Sequence, residues 1–256
     1  MDKVHLKLVV SIFLLLFLLL GGTAWYLVKK YYLSYNLLRL DPLEDRSLKK
    51  DILGTIDTVP NIWMIGDSRM ARWNKDLLSP LEPNIVNLGI EGQTTSQVLI
   101  RLEKYLKTCS PEWLILEVGV NDLKIIGLNR DLNDKLVEDC LENISEIIDL
   151  CLEKGINIIV INIIPTGNIE LPRRVIWNSS VDQSIKEANR KLKDYCKIKQ
   201  VLFLDTYSIL CSNNFRIQEQ YQDGFLHLND KAYEVLSNTI INEFGTKINS
   251  KLTINK

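Results

Sequence analysis

Apolar positions along this chain fall into three patterns, and each predicts a different kind of element. The first is an unbroken run. From Leu8 to Val28 there is no charged side chain, and VVSIFLLLFLLL forms its centre. At a rise of about 1.5 Å per residue, a helix over this run is roughly 30 Å long, enough to cross a hydrocarbon core. Lys3 and Lys7 precede it and Lys29 and Lys30 follow, while Trp25, Tyr26, Tyr31 and Tyr32 stand where an interfacial aromatic belt belongs. Residues 1–30 are therefore read as a transmembrane anchor. A cleaved signal peptide, with its small-residue site at Gly22-Thr23-Ala24, is the alternative. A buried core helix is a third reading, which the length and the basic flanks oppose.

The second pattern is a set of short apolar runs that stop at turn residues: Ile62–Ile65 before Gly66, Ile85–Leu88 before Gly89, Trp113–Val118 before Gly119, Ile156–Ile164 before Pro165 and Val201–Leu204 before Asp205. Such runs read as buried strands. The third pattern is helical periodicity between them, over 94–107, 132–154, 181–196 and 231–244. The clearest stripe is Leu136, Cys140, Ile144, Ile147, Ile148 and Cys151, with Gly155 as the stop. Strand and helix alternate, which predicts an α/β domain with a mainly parallel five-stranded sheet. The expected organisation is an anchor over 1–30, a connector over 31–60 broken at Pro42, and a globular α/β domain over 61–250 beginning after Pro60.

Composition narrows the chemistry. The net charge is -1 and no basic stripe occurs, so nucleic acid is not an expected partner. Five scattered cysteines with no CxxC pair fit neither a zinc site nor a disulfide framework. They read mostly as small buried hydrophobes, and no metal or other cofactor is expected. Of the two histidines, His5 precedes the apolar span, so a catalytic histidine in the soluble part must be His227.

In parallel sheets, active sites gather at the carboxyl ends of strands. Those ends carry Gly66-Asp67-Ser68, Gly89, and Gly119 followed by Asn121-Asp122, with Asp223 and His227 before the last helix. Taken singly, GDS reads as a strand-to-helix turn, Asn121-Asp122 as a turn, and His227 as a surface histidine. Together, GDSRMARW, NLGIEGQT, EVGVNDL and DGFLHLNDKAYEVL resemble, in order, the four sequence blocks of the SGNH (GDSL-type) hydrolases. The resemblance covers 61 to about 245. It implies a flavodoxin-like three-layer α/β/α sandwich without metal. It also implies Ser68 as nucleophile, His227 as general base, Asp223 as the group orienting it, and an oxyanion hole made by the Ser68 and Gly89 backbone N–H groups with the Asn121 amide.

The chemistry suits these residue types. A serine hydroxyl needs a base to become a nucleophile, and imidazole titrates near neutrality. The family spaces its aspartate and histidine as DxxH. Here Asp223 and His227 lie four apart, so a bulge at Gly224, or a backbone carbonyl orienting the ring, is expected; Asp205 and Asp230 are weaker substitutes. Arg69, Arg72 and Trp73 follow the nucleophile and read either as the lining of a sugar or anion pocket or as solvated helix residues. The long stretch 166–180 is a candidate wall. The expected function is a membrane-anchored serine ester hydrolase, with its N-terminus cytoplasmic and its domain exported. Its expected substrate is an acyl group, acetyl first, on a cell-envelope glycan or lipid. A lysophospholipase or thioesterase, an acyl transferase, and a non-catalytic envelope protein are the competing readings. GDSRM is not the GxSxG elbow of the α/β-hydrolases.

Overall fold

The computed structural model describes residues 3–41, 61–82, 84–211 and 215–254. The expected break at Pro42 and the expected domain start at Pro60 lie outside these residues. Helix α1 (Lys3–Leu38) is long and apolar enough to cross a membrane. It continues through the first part of the expected connector without interruption.

The domain then alternates strands and helices. In chain order these are β1 (Ile62–Gly66), α2 (Ser68–Ala71), β2 (Ile85–Asn87), α3 (Thr95–Tyr105), β3 (Trp113–Glu117), α4 (Val120–Leu123), α5 (Asn133–Glu153), β4 (Asn157–Ile161), α6 (Leu171–Arg174), α7 (Ser180–Lys199), β5 (Leu202–Leu204), α8 (Tyr207–Leu210), β6 (Gln222–Asp223), β7 (His227–Leu228) and α9 (Asp230–Ile254). The five strand runs and four long helices seen in the sequence all form. β4 is shorter than its apolar run and stops before Asn162, whose side-chain Oδ1 accepts from Thr206 N. Gly155 takes the left-handed conformation, φ 71°, that ends α5.

The sheet order is β2-β1-β3-β4-β5, all parallel. Alternation along each strand divides the core in two. Trp63, Ile65, Leu114, Leu116, Ile158 and Val160 meet α3, α5 and α7 on one face. Ile62, Met64, Trp113, Ile115, Ile159 and Ile161 meet α9 on the other. This is the three-layer α/β/α sandwich. Cys140, Cys151 and Cys196 are buried in it, and among the described residues no disulfide joins the cysteines.

The chain leaves β1 for β2 on one side and returns to β3 on the other. The resulting switch point, between the carboxyl ends of β1 and β3, is where α/β sheets open a crevice. There Gly66 pairs with Glu117 in register, so closely that a Cβ on Gly66 would overlap the Glu117 carbonyl oxygen. Gly89 is equally confined, because a Cβ there would overlap the backbone of Ala71. Gly66→Ala is expected to destabilise the domain by about 3 kcal/mol or more through forced separation of β1 and β3, read as a lowered midpoint in urea unfolding.

Candidate active site

Each strand end delivers one part of the site. The chain leaves β1 through Asp67, which caps α2 by accepting a hydrogen bond from Arg69 N (2.9 Å). Ser68 thus begins a four-residue helix and is almost buried. β3 runs through Gly119 (φ 124°) into α4, which carries Asn121. His227 starts β7, a two-residue strand paired antiparallel with β6 and packed against α2.

Arg69 binds these parts together. It is fully buried. Its Nε donates to the carbonyl oxygen of Leu226 (2.7 Å), the residue before His227. Nη2 donates to Pro165 O (2.8 Å) and Nη1 to Ile164 O, at the end of β4. Tyr233 Oη, from α9, donates to the Arg69 carbonyl oxygen (2.8 Å). The expectation that Arg69 lines a substrate pocket is therefore corrected, because its guanidinium is turned inward onto three carbonyls. Trp73 is corrected likewise. Its ring is buried against Tyr233 and its Nε1 donates to Ser237 Oγ (2.9 Å). Only Arg72 reaches the surface, where it pairs with Glu91 (3.1 Å) and Asp223 (3.6 Å).

His227 is half-buried, and burial is the main cause that lowers its pKa below the ordinary histidine value. The charges of Arg72 and Arg69 add to this, while Glu91 and Asp223 oppose it. The ring is thus neutral at pH 7, the state a general base requires. Asp223 lies directly across the ribbon from His227, and the extra residue of the DGFLH spacing is absorbed in a turn at Gly224 (φ 68°). Gly167 N donates to Phe225 O (2.7 Å) and holds that turn. The Asp223 carboxylate is exposed and ion-paired with Arg72, and among the described residues it makes no hydrogen bond to His227.

The oxyanion donors need one correction. The N–H of Gly89 donates to Asn87 Oδ1 (2.8 Å), so it is not open to a ligand. Gly89 instead lets the backbone pass close to α2. The glycine with an open N–H is Gly92, in a left-handed turn at φ 75°, with no hydrogen-bond partner among the described residues. Asn121 Nδ2 donates to Gln93 O (3.0 Å) and, at 3.4 Å, to Asp67 Oδ2, which brings the Gly92 turn beside the nucleophile loop. Lys124 Nζ donates to Asn121 Oδ1 (2.7 Å) and fixes which way the amide points. Gly92 lies in the same NLGIEGQT block as Gly89. The sequence does not show which N–H the side chain of Asn87 occupies. Asp205 pairs with Lys193 instead (3.2 Å).

Beside Ser68, Asp67 and Glu117 are both buried near one guanidinium, with Arg69 Nη1 3.8 Å from Glu117. Burial raises both pKa values, Glu117 well above its ordinary value, with the charge of Asp67 adding to the rise. The Arg69 charge opposes both rises without cancelling the effect of burial. Asp122 is raised to about 7 by burial while accepting from Thr95 N and Oγ1.

The fold is a parallel α/β sandwich in which Ser68, the candidate nucleophile, stands on a short helix after β1. Residues 63–235 match the model of the GDSL-like Lipase/Acylhydrolase family, and the chain belongs to that family; its enzyme class is serine ester hydrolase. Solved structures share the fold. A Streptococcus pneumonia protein given as a platelet activating factor is 23% identical with a TM-score of 0.61, covering 91% of this chain and 98% of its own. A GDSL-like lipase from Bacteroides thetaiotaomicron is 21% identical with a TM-score of 0.61, covering 76% and 93%. An acetylxylan esterase from Geobacillus stearothermophilus is 17% identical with a TM-score of 0.53, covering 74% and 96%. Comparison with curated proteins gives no match.

Two pH effects follow. A carboxyl whose folded pKa is raised contributes stability that is complete below the ordinary carboxylate range and is lost as pH rises through the folded value. Glu117→Gln removes that loss, because the amide supplies the hydrogen without ionising. The variant should gain on wild type in thermal midpoint between pH 5 and pH 8, measured by circular dichroism. Arg72→Ala removes a cation that lowers the His227 pKa, so the acid limb of the kcat/KM profile should move to higher pH.

Proposed function

We propose that this chain is a membrane-anchored serine esterase that removes acyl groups from a cell-envelope glycan or lipid. In this reading α1 crosses the membrane with its N-terminus in the cytoplasm and the domain exported. The observation that carries the mechanism is the link from Arg69 to Leu226, which holds α2, with Ser68 at its start, against the strand bearing a neutral His227.

His227 takes the Ser68 hydroxyl proton as Oγ attacks the ester carbonyl. The tetrahedral oxyanion is met by the N–H groups of Ser68 and Gly92 and by the Asn121 amide, whose longer bond to Asp67 is the one exchanged for substrate. Each such donor contributes about 3 kcal/mol to the transition state. His227 then protonates the leaving alcohol, and water repeats the sequence on the acyl-enzyme. Asp223 acts across the ribbon as a nearby negative charge that favours the imidazolium. Its exposure and its pairing with Arg72 weaken that role relative to a buried triad aspartate.

Hydrolysis of p-nitrophenyl acetate by the full chain tests this reading. Ser68→Ala and His227→Ala should each lower kcat by roughly a thousand-fold or more, and Asp223→Asn by only about ten-fold. Turnover that survives in Ser68→Ala sinks the mechanism.

A further inference from the structure

The upper part of α1 does not stand clear of the domain. Thr94 Oγ1 donates to Arg39 O (3.0 Å) and Ser96 Oγ to Leu40 O (2.8 Å), which fastens the end of the helix to the start of α3. Lower down, Trp25 Nε1 donates to Val175 O (3.2 Å), just past α6. Between these two attachments, about 20 Å apart along the helix, lies a cavity of about 400 Å³. Val28, Tyr32 and Tyr35 of α1 form one wall, and Ile176, Trp177 and Leu226 form the other.

One end of this cavity is lined by neighbours of the candidate catalytic residues rather than by those residues themselves. Leu226 immediately precedes His227, and Lys124, which also lines the cavity, is bonded to the Asn121 amide. Cations gather at this end. Lys124 is lowered to about 8, by burial first and by the neighbouring charges of Arg39 and Arg173. The Arg39 guanidinium lies over Gly92, on the spot a Cβ would occupy. At the other end the lining includes Val28, three residues past Trp25 on α1. There Leu171 and Val175 of the α6 segment are 76% and 68% exposed, next to the residue that the aromatic belt places at the membrane surface. Large apolar side chains exposed at that level are what an element dipping into the lipid interface presents.

We infer that this cavity is an acyl-chain site opening onto the bilayer, and that the substrate is the acyl ester of a membrane-resident amphiphile. The chain lies between α1 and the 171–177 segment, and the ester reaches Ser68 past Leu226. This rests on the serine-esterase reading and selects from it the lipid over the glycan, and a chain longer than acetyl. Three features support one occupant. The lining is mainly apolar, interrupted by Asn36, Glu170 and Arg173, and carries Lys124 beside Asn121, which suits an acyl chain with a polar head. One wall is the membrane helix itself, so the mouth sits where lipid is supplied. The volume falls within the range of small-molecule pockets, roughly 300–1,000 Å³.

The test uses the full chain in nanodiscs of phosphatidylcholine and phosphatidylglycerol, with p-nitrophenyl acetate, octanoate and dodecanoate as probes. Wild type should prefer the longer esters in kcat/KM. Val28→Trp and Ile176→Trp, which fill the cavity from opposite walls at partly exposed positions, should each lower the octanoate-to-acetate ratio roughly ten-fold or more. A wild-type preference for acetate, or ratios unchanged in both variants, overturns the acyl-chain site and leaves the serine mechanism standing. Loss of all three activities in wild type would instead strike the esterase reading on which this one rests.

Discussion

The site depends on one buried guanidinium. Arg69 takes charge out of water, which is costly unless every donor finds an acceptor. Three backbone carbonyls and the carboxylate group beneath them meet that demand. Because those carbonyls belong to the end of β4 and to the turn before His227, satisfying Arg69 also sets the distance between the nucleophile helix and the histidine strand. A lysine there would carry a charge of the same sign but lacks the planar fork that reaches three acceptors in different directions.

This constraint explains why the unusual aspartate spacing is tolerated. In the DGFLH turn the extra residue is held on both sides, by Gly167 N at Phe225 O and by Arg69 Nε at Leu226 O. His227 is therefore located by backbone bonds to its neighbours rather than by a carboxylate on its ring. Its half-buried environment, with the charges of two arginines nearby, favours the neutral ring. The Arg69 charge also opposes the raised pKa values of Asp67 and Glu117 without cancelling the effect of burial.

The long helix and the domain form a continuous surface. α1 extends past the length needed for a membrane, and its upper turns supply Val28, Tyr32 and Tyr35 to the cavity and Arg39 to the neighbourhood of Gly92. If the helix crosses a bilayer as its composition predicts, the catalytic end of the sheet faces the lipid surface. Anchor and substrate site are then parts of one device.

Much of this was legible in the sequence because the relevant physics is local. Apolar runs ending at glycine and helical stripes such as Leu136 to Cys151 specify strands and helices through periodicity, and elimination leaves His227 as the candidate base. Ser68, Asn121 and His227 stand out because strand ends are where such residues gather. What the sequence could not decide was where a side chain points once distant segments meet. Arg69 and Trp73 looked available to a ligand and are buried, because residues 164–165, 226 and 237, far along the chain, close over them. Gly89 looked like the open N–H, but Asn87 occupies it, and among the described residues the N–H of Gly92 has no hydrogen-bond partner. Burial and hydrogen-bond partnership belong to the assembled tertiary structure, and they separate residues of the same type into struts and reagents.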